Sequence, residues 1–351
     1  HHEARNLAGE TTSLDEVSIR YLPMLQYKNW ERFSKNRLFQ KIMSNLNRLL
    51  SNFSLNLQVI WTLWREGRSD DIVQLFSSQT SSFLVVWLAR ALGMHPVIRM
   101  SLVGSDDPGS FQGKKTDVLR PFRLEAFRKA KAIIGNSTAL ADSCRSVGIE
   151  AKKVFCIPNG VNLDLFHPVT VEERLKLRKE LGLRPDRRYV VFVGGAKHRK
   201  GIDVLIEAFI HINERLHDVE LLIIGPCDFS GDRRNSTARQ QLIEELKQGI
   251  AQAGCSSRVH WIGQVGDVHR YLQAANLFCL PTRREGLPNA VAEAMAVGLP
   301  IVTSYLEGVT TDLIRSENEG ILVPSHDPEQ YAASMIRLLE TPNLAESMAK
   351  E

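Results

Sequence analysis

Three observations predict an α/β protein built from two Rossmann-like domains that face a cleft. The chain has 351 residues, more than one hydrophobic core usually serves. Short apolar runs alternate with helix-period stretches, the pattern of a parallel sheet covered on both faces. A segment bearing Pro, Asn and Gly, IPNGVNLDLFHP (157–168), interrupts the alternation near the middle. The reading is an N-terminal domain over 1–162 and a C-terminal domain over 163–351. Ligands are expected at the carboxyl ends of the strands facing the cleft.

The N-terminal strands are VSIRYLP (17–23), DIVQLF (71–76), HPVIRMS (95–101), KAIIGNS (131–137) and KVFCIPN (153–159). The C-terminal ones are YVVFVGG (189–195), VELLIIG (219–225), RVHWIG (258–263), NLFCLP (276–281) and LPIVTS (299–304), with helices over 201–216, 237–253 and 327–340. Residues 28–50 carry six Lys or Arg against one Glu, with Leu38, Ile42, Leu46 and Leu49 on one helical face. That face is no wider than a core-facing helix requires. A helix packed on the sheet with its basic face in water is therefore preferred to a surface for anionic lipid head groups.

Composition narrows the function classes. An apolar fraction of 43% with 24% charged residues is ordinary for a soluble globular protein, and a net charge of +4 does not argue for nucleic acid. No apolar run reaches the ~18 residues of a membrane span, and no signal-peptide pattern opens the chain. Five scattered cysteines (Cys144, Cys156, Cys227, Cys255, Cys279) without a CxxC pair point to a reducing cytoplasm, not to a zinc site or disulfide framework. The N-x-S/T triplets at Asn52, Asn136 and Asn235 then read as chance matches. GSDDPG (104–109) reads as a turn, so no metal is expected there, and neither GxGxxG nor GxxxxGK[ST] occurs.

The densest local chemistry lies in TRREGLPNAVAEAMAVGLPIV (282–302). Gly286 frees the backbone, Pro288 pre-sets a helical φ near the first helical position, and Gly298 with Pro300 is a stop. Strand, tight loop, short helix and strand follow in turn. A helix N-terminus is thus placed at the carboxyl edge of a parallel sheet, where unpaired N–H groups and the helix dipole favour an anion. Glu293, one or two turns into the helix, could accept hydrogen bonds from a ribose diol. Either glutamate alone reads as charge at a helix start; the whole pattern reads as a ligand site.

EGLPNAVAEAMAVGLPIV resembles the E-x7-E signature of the retaining GT-B glycosyltransferases of family 4, the glycosyl transferases group 1 type. IPNGVNLDLFHP resembles that family's inter-domain segment, and FVGGAKHRKGIDVLIEAF (192–209) its phosphate-binding strand, loop and helix. The resemblance covers roughly residues 95–340 and is specific for fold and donor class, weak for the acceptor. It implies a nucleotide-diphosphate sugar as donor, used as substrate with no cofactor. Glu293 would hold the ribose. Glu285, Gly286, Leu287 and Asn289 would surround the sugar and diphosphate, with Gly194 and Gly195 in the facing loop; Pro288 has no N–H to offer. Lys200 would neutralise the departing diphosphate, and with Glu285 is the implied catalytic pair.

The sequence also departs from the family. Gly195 stands where the family commonly has an arginine, and Lys197 or Arg199 is the candidate replacement. The N-terminal domain lacks the family's histidine after the PVIRMS strand, leaving Arg99, Ser101 and Asp106 as acceptor-side candidates. The chain reads as missing the family's first strand–helix unit and its last helices. The implied reaction is hexosyl transfer to a hydroxyl of a glycan or lipid-linked acceptor with retention, in polysaccharide or glycolipid assembly. The implied place is the cytoplasm, with a peripheral position on the inner membrane face as a further reading. A non-catalytic sugar-nucleotide binder and a GT-B epimerase or phosphorylase are the alternatives.

Overall fold

A computed structural model describes residues 11–14, 17–20, 57–76, 82–111, 120–227 and 236–351. The basic segment 28–50, Asn52 and Asn235 lie outside the described residues. The chain divides into two compact units. The first is His1–Met100, Gly104–Ile134 and Ala141–Phe155; the second is Ser101–Val103, Gly135–Leu140 and Cys156–Glu351.

In the first unit, β3 (Ile72–Phe76), β4 (His95–Met100), β5 (Ala132–Gly135) and β6 (Val154–Cys156) lie in that order in one sheet. β3 and β4 are parallel, with Ile72 opposite His95 and Phe76 opposite Arg99. Helices accompany them: α1 (57–66), α2 (Ser82–Ala91), α3 (Arg120–Lys129) and α4 (Thr138–Ser146). Val86, Ala89, Met100, Phe127, Ile133 and Ala141 are buried almost completely.

One strand expectation is corrected. The described part of the 17–23 run does not join the parallel sheet; β2 (Val17–Arg20) pairs antiparallel with β1 (Thr11–Leu14) as a separate two-stranded ladder. Only two residues join them, a length that suits antiparallel neighbours, whereas a parallel pair needs a crossover of a dozen residues or more.

The second unit holds a six-stranded parallel sheet in the order β12 (Ile321–Val323), β11 (Ile301–Ser304), β10 (Leu277–Leu280), β7 (Arg188–Val193), β8 (Val219–Ile224), β9 (Val259–Gly263). Every residue of β8, β10 and β11 is buried, which is why these strands are mostly apolar, the buried exceptions being Glu220, Thr303 and Ser304. Its helices are α5 (Val171–Glu180), α6 (Ile202–Arg215), α7 (Ser236–Gln252), α8 (Val268–Ala274), α9 (Asn289–Ala296), α10 (Pro328–Glu340) and α11 (Pro342–Lys350). The chain leaves the sheet centre in one direction after β7 and in the other after β10. The topological switch point, where open α/β sheets bind ligands, therefore lies at the carboxyl ends of those two strands.

Arg178 of α5 ties this unit together from inside. It is 4% exposed, and its guanidinium donates to the carbonyls of Ala274 (2.9 Å), Pro185 (3.2 Å) and Arg187 (3.0 Å) and to Asn276 Oδ1 (2.7 Å). Asn276 Oδ1 also accepts from Tyr189 N–H, so the start of β7 shares the network. Arg178→Ala strands these buried acceptors and is expected to cost about 2–4 kcal/mol in denaturant unfolding.

Candidate functional site

Two loops meet at the switch point. The loop after β7 runs from Gly194 to a short turn at His198–Lys200, closed by Gly201. Gly201 has φ 72°, and a Cβ there would stand 1.7 Å from the carbonyl oxygen of Pro281. Only glycine adopts that conformation at that distance, so the first turn of α6 lies directly against the end of β10.

The loop after β10 is stitched to the first loop by its own TRRE run. Thr282 Oγ1 lies 3.1 Å from the Arg199 carbonyl, and Arg283 N–H donates to that same oxygen at 2.9 Å. Arg283 reaches back with a two-toothed grip on Asp203, at 2.7 and 2.6 Å, and donates to the His198 carbonyl at 2.6 Å. Burial acts to raise the Asp203 pKa, but the Arg283 hydrogen bonds and charge outweigh it and hold the carboxyl below its usual range.

Glu285 and Lys200 come together. Lys200 Nζ is 2.6 Å from Glu285 Oε1, Arg199 Nη1 is 3.2 Å from Oε2, and Thr282 Oγ1 is 2.9 Å from Oε1. Glu285 is 7% exposed, so this carboxylate is a buried, fully partnered anion that fixes the position of the lysine. Arg199 also donates to the Arg284 carbonyl at 2.6 Å. It therefore braces the loop, and the Gly195 position is covered by Lys197. A Cβ at Gly195 would sit 3.4 Å from Lys197 Cε, so the lysine side chain runs in van der Waals contact with that position. Gly194 backs the same cluster, its own Cβ position being 3.5 Å from Lys200 Cδ.

α9 begins at Asn289. Pro288 is its N-cap with an extended ψ of 94°, immediately before the first helical residue. The proline ring permits this because its φ of −76° is shared by extended and helical backbone. α9 stops as predicted: Gly298 N–H bonds Met295 O and Leu299 N–H bonds Ala294 O, at 2.9 and 3.0 Å, a Schellman ending. At the other end, the amides of Gly286, Leu287, Asn289 and Ala290 have no acceptor among the described residues. Asn289 Oδ1 accepts from Asn159 Nδ2 at 2.8 Å, which ties the IPNGV segment to the helix start.

Glu293 sits in the second turn of α9, half-buried. Among the described residues its carboxylate has no hydrogen-bond or ion-pair partner, and burial pushes its pKa up. An unpartnered acceptor beside a row of unpaired amides can accept from hydroxyls while the amides donate to an anion.

Gly286 owes its identity to space, not to a positive φ. A Cβ there would lie 1.9 Å from the Ser101 carbonyl oxygen and 2.9 Å from Asn136 Oδ1, both on segments belonging to the second unit. Val103 N–H donates to the Glu285 carbonyl at 3.2 Å across the same approach. Gly286→Ala is expected to lower stability by about 2 kcal/mol or more and to weaken ligand binding, read by thermal unfolding with and without nucleotide.

Of the acceptor-side candidates, Ser101 joins this approach through its backbone. Arg99 and Asp106 belong to the first unit, Arg99 at the end of β4 and Asp106 buried. The adjacent Asp107 is committed to structure, accepting from Ser110 N–H at 3.0 Å and Ser143 Oγ at 2.7 Å, as the turn reading of GSDDPG requires. Sequence reasoning missed Thr282, Arg283 and Asp203, and also Asn136 and Ser137. The last two are buried side chains whose Oδ1 and Oγ find no partner among the described residues. Nothing in their local pattern beyond a polar pair following a strand marked them.

Residues 173–351, just over half of the chain, match the family Glycosyl transferases group 1. The chain belongs to that family. Residues 26–165 match a second description, Glycosyltransferase Family 4. Similar curated proteins include the D-inositol 3-phosphate glycosyltransferase of Xylanimonas cellulosilytica, 30% identical over 56% of this chain and 46% of that protein. An uncharacterised glycosyltransferase of Methanocaldococcus jannaschii is 30% identical over 62% of this chain and 52% of the other. The chain thus spans about half the length of the curated relatives it matches. Among solved structures, Anabaena HepE in complex with UDP aligns with TM-score 0.70 at 19% identity, over 87% of this chain and 77% of that one. Sucrose-phosphate synthase of Thermosynechococcus elongatus aligns with TM-score 0.67 at 23% identity, over 94% and 76%. These likenesses establish the GT-B fold, with its two Rossmann-like α/β units. Among the described residues no helix is long and apolar enough to cross a membrane.

Proposed function

We propose that the chain is a retaining hexosyltransferase that moves a sugar from a nucleoside diphosphate to an acceptor hydroxyl. The observation that carries this reading is the 2.6 Å pair of Lys200 and Glu285 at the switch point, beside the unpaired amides of 286–290 and the unpartnered Glu293. Glu293 accepts from the ribose hydroxyls, and the amides of Gly286, Leu287 and Asn289 donate to the sugar and diphosphate. Lys200, with Lys197 over Gly195, faces the negative charge that grows as the bond from the anomeric carbon to the phosphate oxygen breaks. The acceptor oxygen forms the new bond on the same face, and its proton passes to the leaving phosphate oxygen. The protein then supplies position and charge, without a dedicated base and without a metal ion.

Solved relatives in complex with UDP and UDP-glucose support a uridine nucleotide as the first donor to try. The inositol phosphate glycosyltransferases among the relatives support a polar hydroxyl acceptor, on a glycan or a lipid-linked glycan. A cytoplasmic role in polysaccharide or glycolipid assembly is the setting these substrates suggest. The test is incubation with UDP-glucose and hydroxyl acceptors, following nucleotide release and the anomeric configuration of the product by NMR. Nucleotide release with an α-configured product is the expected result; an inverted product refutes retention, and altered free sugar without acceptor transfer indicates an epimerase.

A further inference from the structure

The first unit carries a recess of about 640 Å³ on which the donor reading makes no demand. Its lining includes Trp87 and Arg90 of α2, Arg128 and Lys129 of α3, Lys131 and Lys153. Lys131 immediately precedes β5 and Lys153 immediately precedes β6, so the recess opens at the amino-terminal edge of this sheet, the end opposite Met100 and Gly135. Lys131 N–H on the Pro96 carbonyl, at 2.8 Å, holds that edge together.

Five cations converge here against two carboxylates, and both carboxylates are already shared. Glu125 lies 3.6 Å from Arg128 and 3.8 Å from Lys129; Glu150 lies 3.3 Å from Lys153 and 2.9 Å from Lys152. Arg90 and Lys131 have no ion pair or side-chain hydrogen bond among the described residues. Cations in the last turns of α2 and α3 suit the helix dipole, which accounts for Arg90, Arg128 and Lys129 but not for Lys131 or Lys153. Part of the recess is pre-ordered: Lys153 Nζ donates to the Arg128 carbonyl at 2.8 Å, and Lys129 Nζ stands 4.8 Å over the Trp87 ring. The half-exposed Trp87 ring gives one wall an apolar face.

We propose that this recess is a second anion site, for a ligand bearing a phosphate group with an organic portion against Trp87. A concave patch of one sign concentrates counter-charge. A phosphate has the oxygens to answer the forked Arg90 donors and the lysines together, where a single carboxylate would leave donors unmet. The volume exceeds that of free phosphate, which leaves room for the organic portion, whether a soluble phosphoester or a lipid head group.

The experiment is a titration of the whole chain, at two salt concentrations, with glucose 6-phosphate and separately with phosphatidylglycerol vesicles against phosphatidylcholine vesicles. Binding of one of the two phosphate probes is expected, falling with salt, reduced tenfold or more in Arg90→Gln/Lys131→Gln, and kept in Lys131→Arg. Both side chains are exposed, and equal unfolding temperatures of the variants establish that they fold. Which probe binds decides between a soluble ligand and a membrane head group. Failure of both to bind, or binding unchanged in the double variant, overturns the site. Binding lost only in Lys200→Ala assigns the ligand to the switch-point loops and overturns it equally.

Discussion

Lys200→Ala is expected to lower the turnover number by about 10²–10³-fold while changing the donor KM far less, when initial rates are measured over a range of donor concentrations. The reason is where the charge develops. In the resting site the lysine ammonium is held 2.6 Å from Glu285 Oε1, so its position is fixed before any donor arrives. A preorganised cation spends nothing on reorganisation when the leaving phosphate gains charge, and the effect is concentrated in the transition state. Removing it also leaves Glu285 with Arg199 and Thr282 as its remaining partners, so a fall in stability accompanies the fall in rate. A purely structural lysine would raise KM and lower Tm with kcat largely retained. The split between kcat and KM separates the two roles.

Substituting Glu293 is expected to move stability and ligand binding in opposite directions, the first read in Glu293→Gln and the second in Glu293→Ala. Burial raises the Glu293 pKa in the folded protein, and among the described residues no cation pairs with it. The folded state therefore holds the proton more tightly than the unfolded chain. The stability linked to that proton is fully present below the ordinary glutamate pKa and is lost as pH rises through the elevated folded value. At neutral pH the ionised carboxylate is a cost to the empty protein. Glu293→Gln is expected to raise Tm without ligand at pH 7–8 and to lose that advantage near pH 4. Donor affinity moves the other way: hydrogen bonds from a diol to a charged acceptor contribute about 1.5–3 kcal/mol, so Glu293→Ala weakens binding by roughly 10–100-fold. Equal Tm values for wild type and Glu293→Gln across that pH range contradict the burial argument.

The fold was legible because its strands are short, apolar and evenly spaced. Every C-terminal strand expected from periodicity occurs within about two residues of its place, since strands buried on both faces carry few polar residues. β12 escaped because three residues are too few to show a period. The hairpin residue run at 17–20 was legible as strand, but its partner and direction depend on the two-residue connection rather than on its own pattern. Within the site, Glu285 and Glu293 stood out because turn chemistry and helix signals framed them, whereas Lys200 stood out only through the family resemblance. Their pairing did not, because Lys200 and Glu285 follow different strands, β7 and β10, that become neighbours only in the assembled sheet. The same holds for Gly286: the sequence suggested backbone freedom, and the structure shows a place where the Ser101 carbonyl leaves no room for a Cβ. Arg199 was read as a candidate replacement for the family arginine, and its contacts with Glu285 and the Arg284 carbonyl were not legible in the sequence because they join segments more than eighty residues apart.

The central claim is that the switch-point loops bind a nucleoside diphosphate through Glu293 and the α9 N-terminus. A thermal-shift titration with UDP, GDP and ADP, on wild type and on Glu293→Ala, tests it most directly. One nucleotide is expected to raise the wild-type Tm in a concentration-dependent way, and Glu293→Ala to abolish the shift. A folded wild-type protein that none of the three nucleotides shifts, or a shift that Glu293→Ala leaves intact, contradicts it.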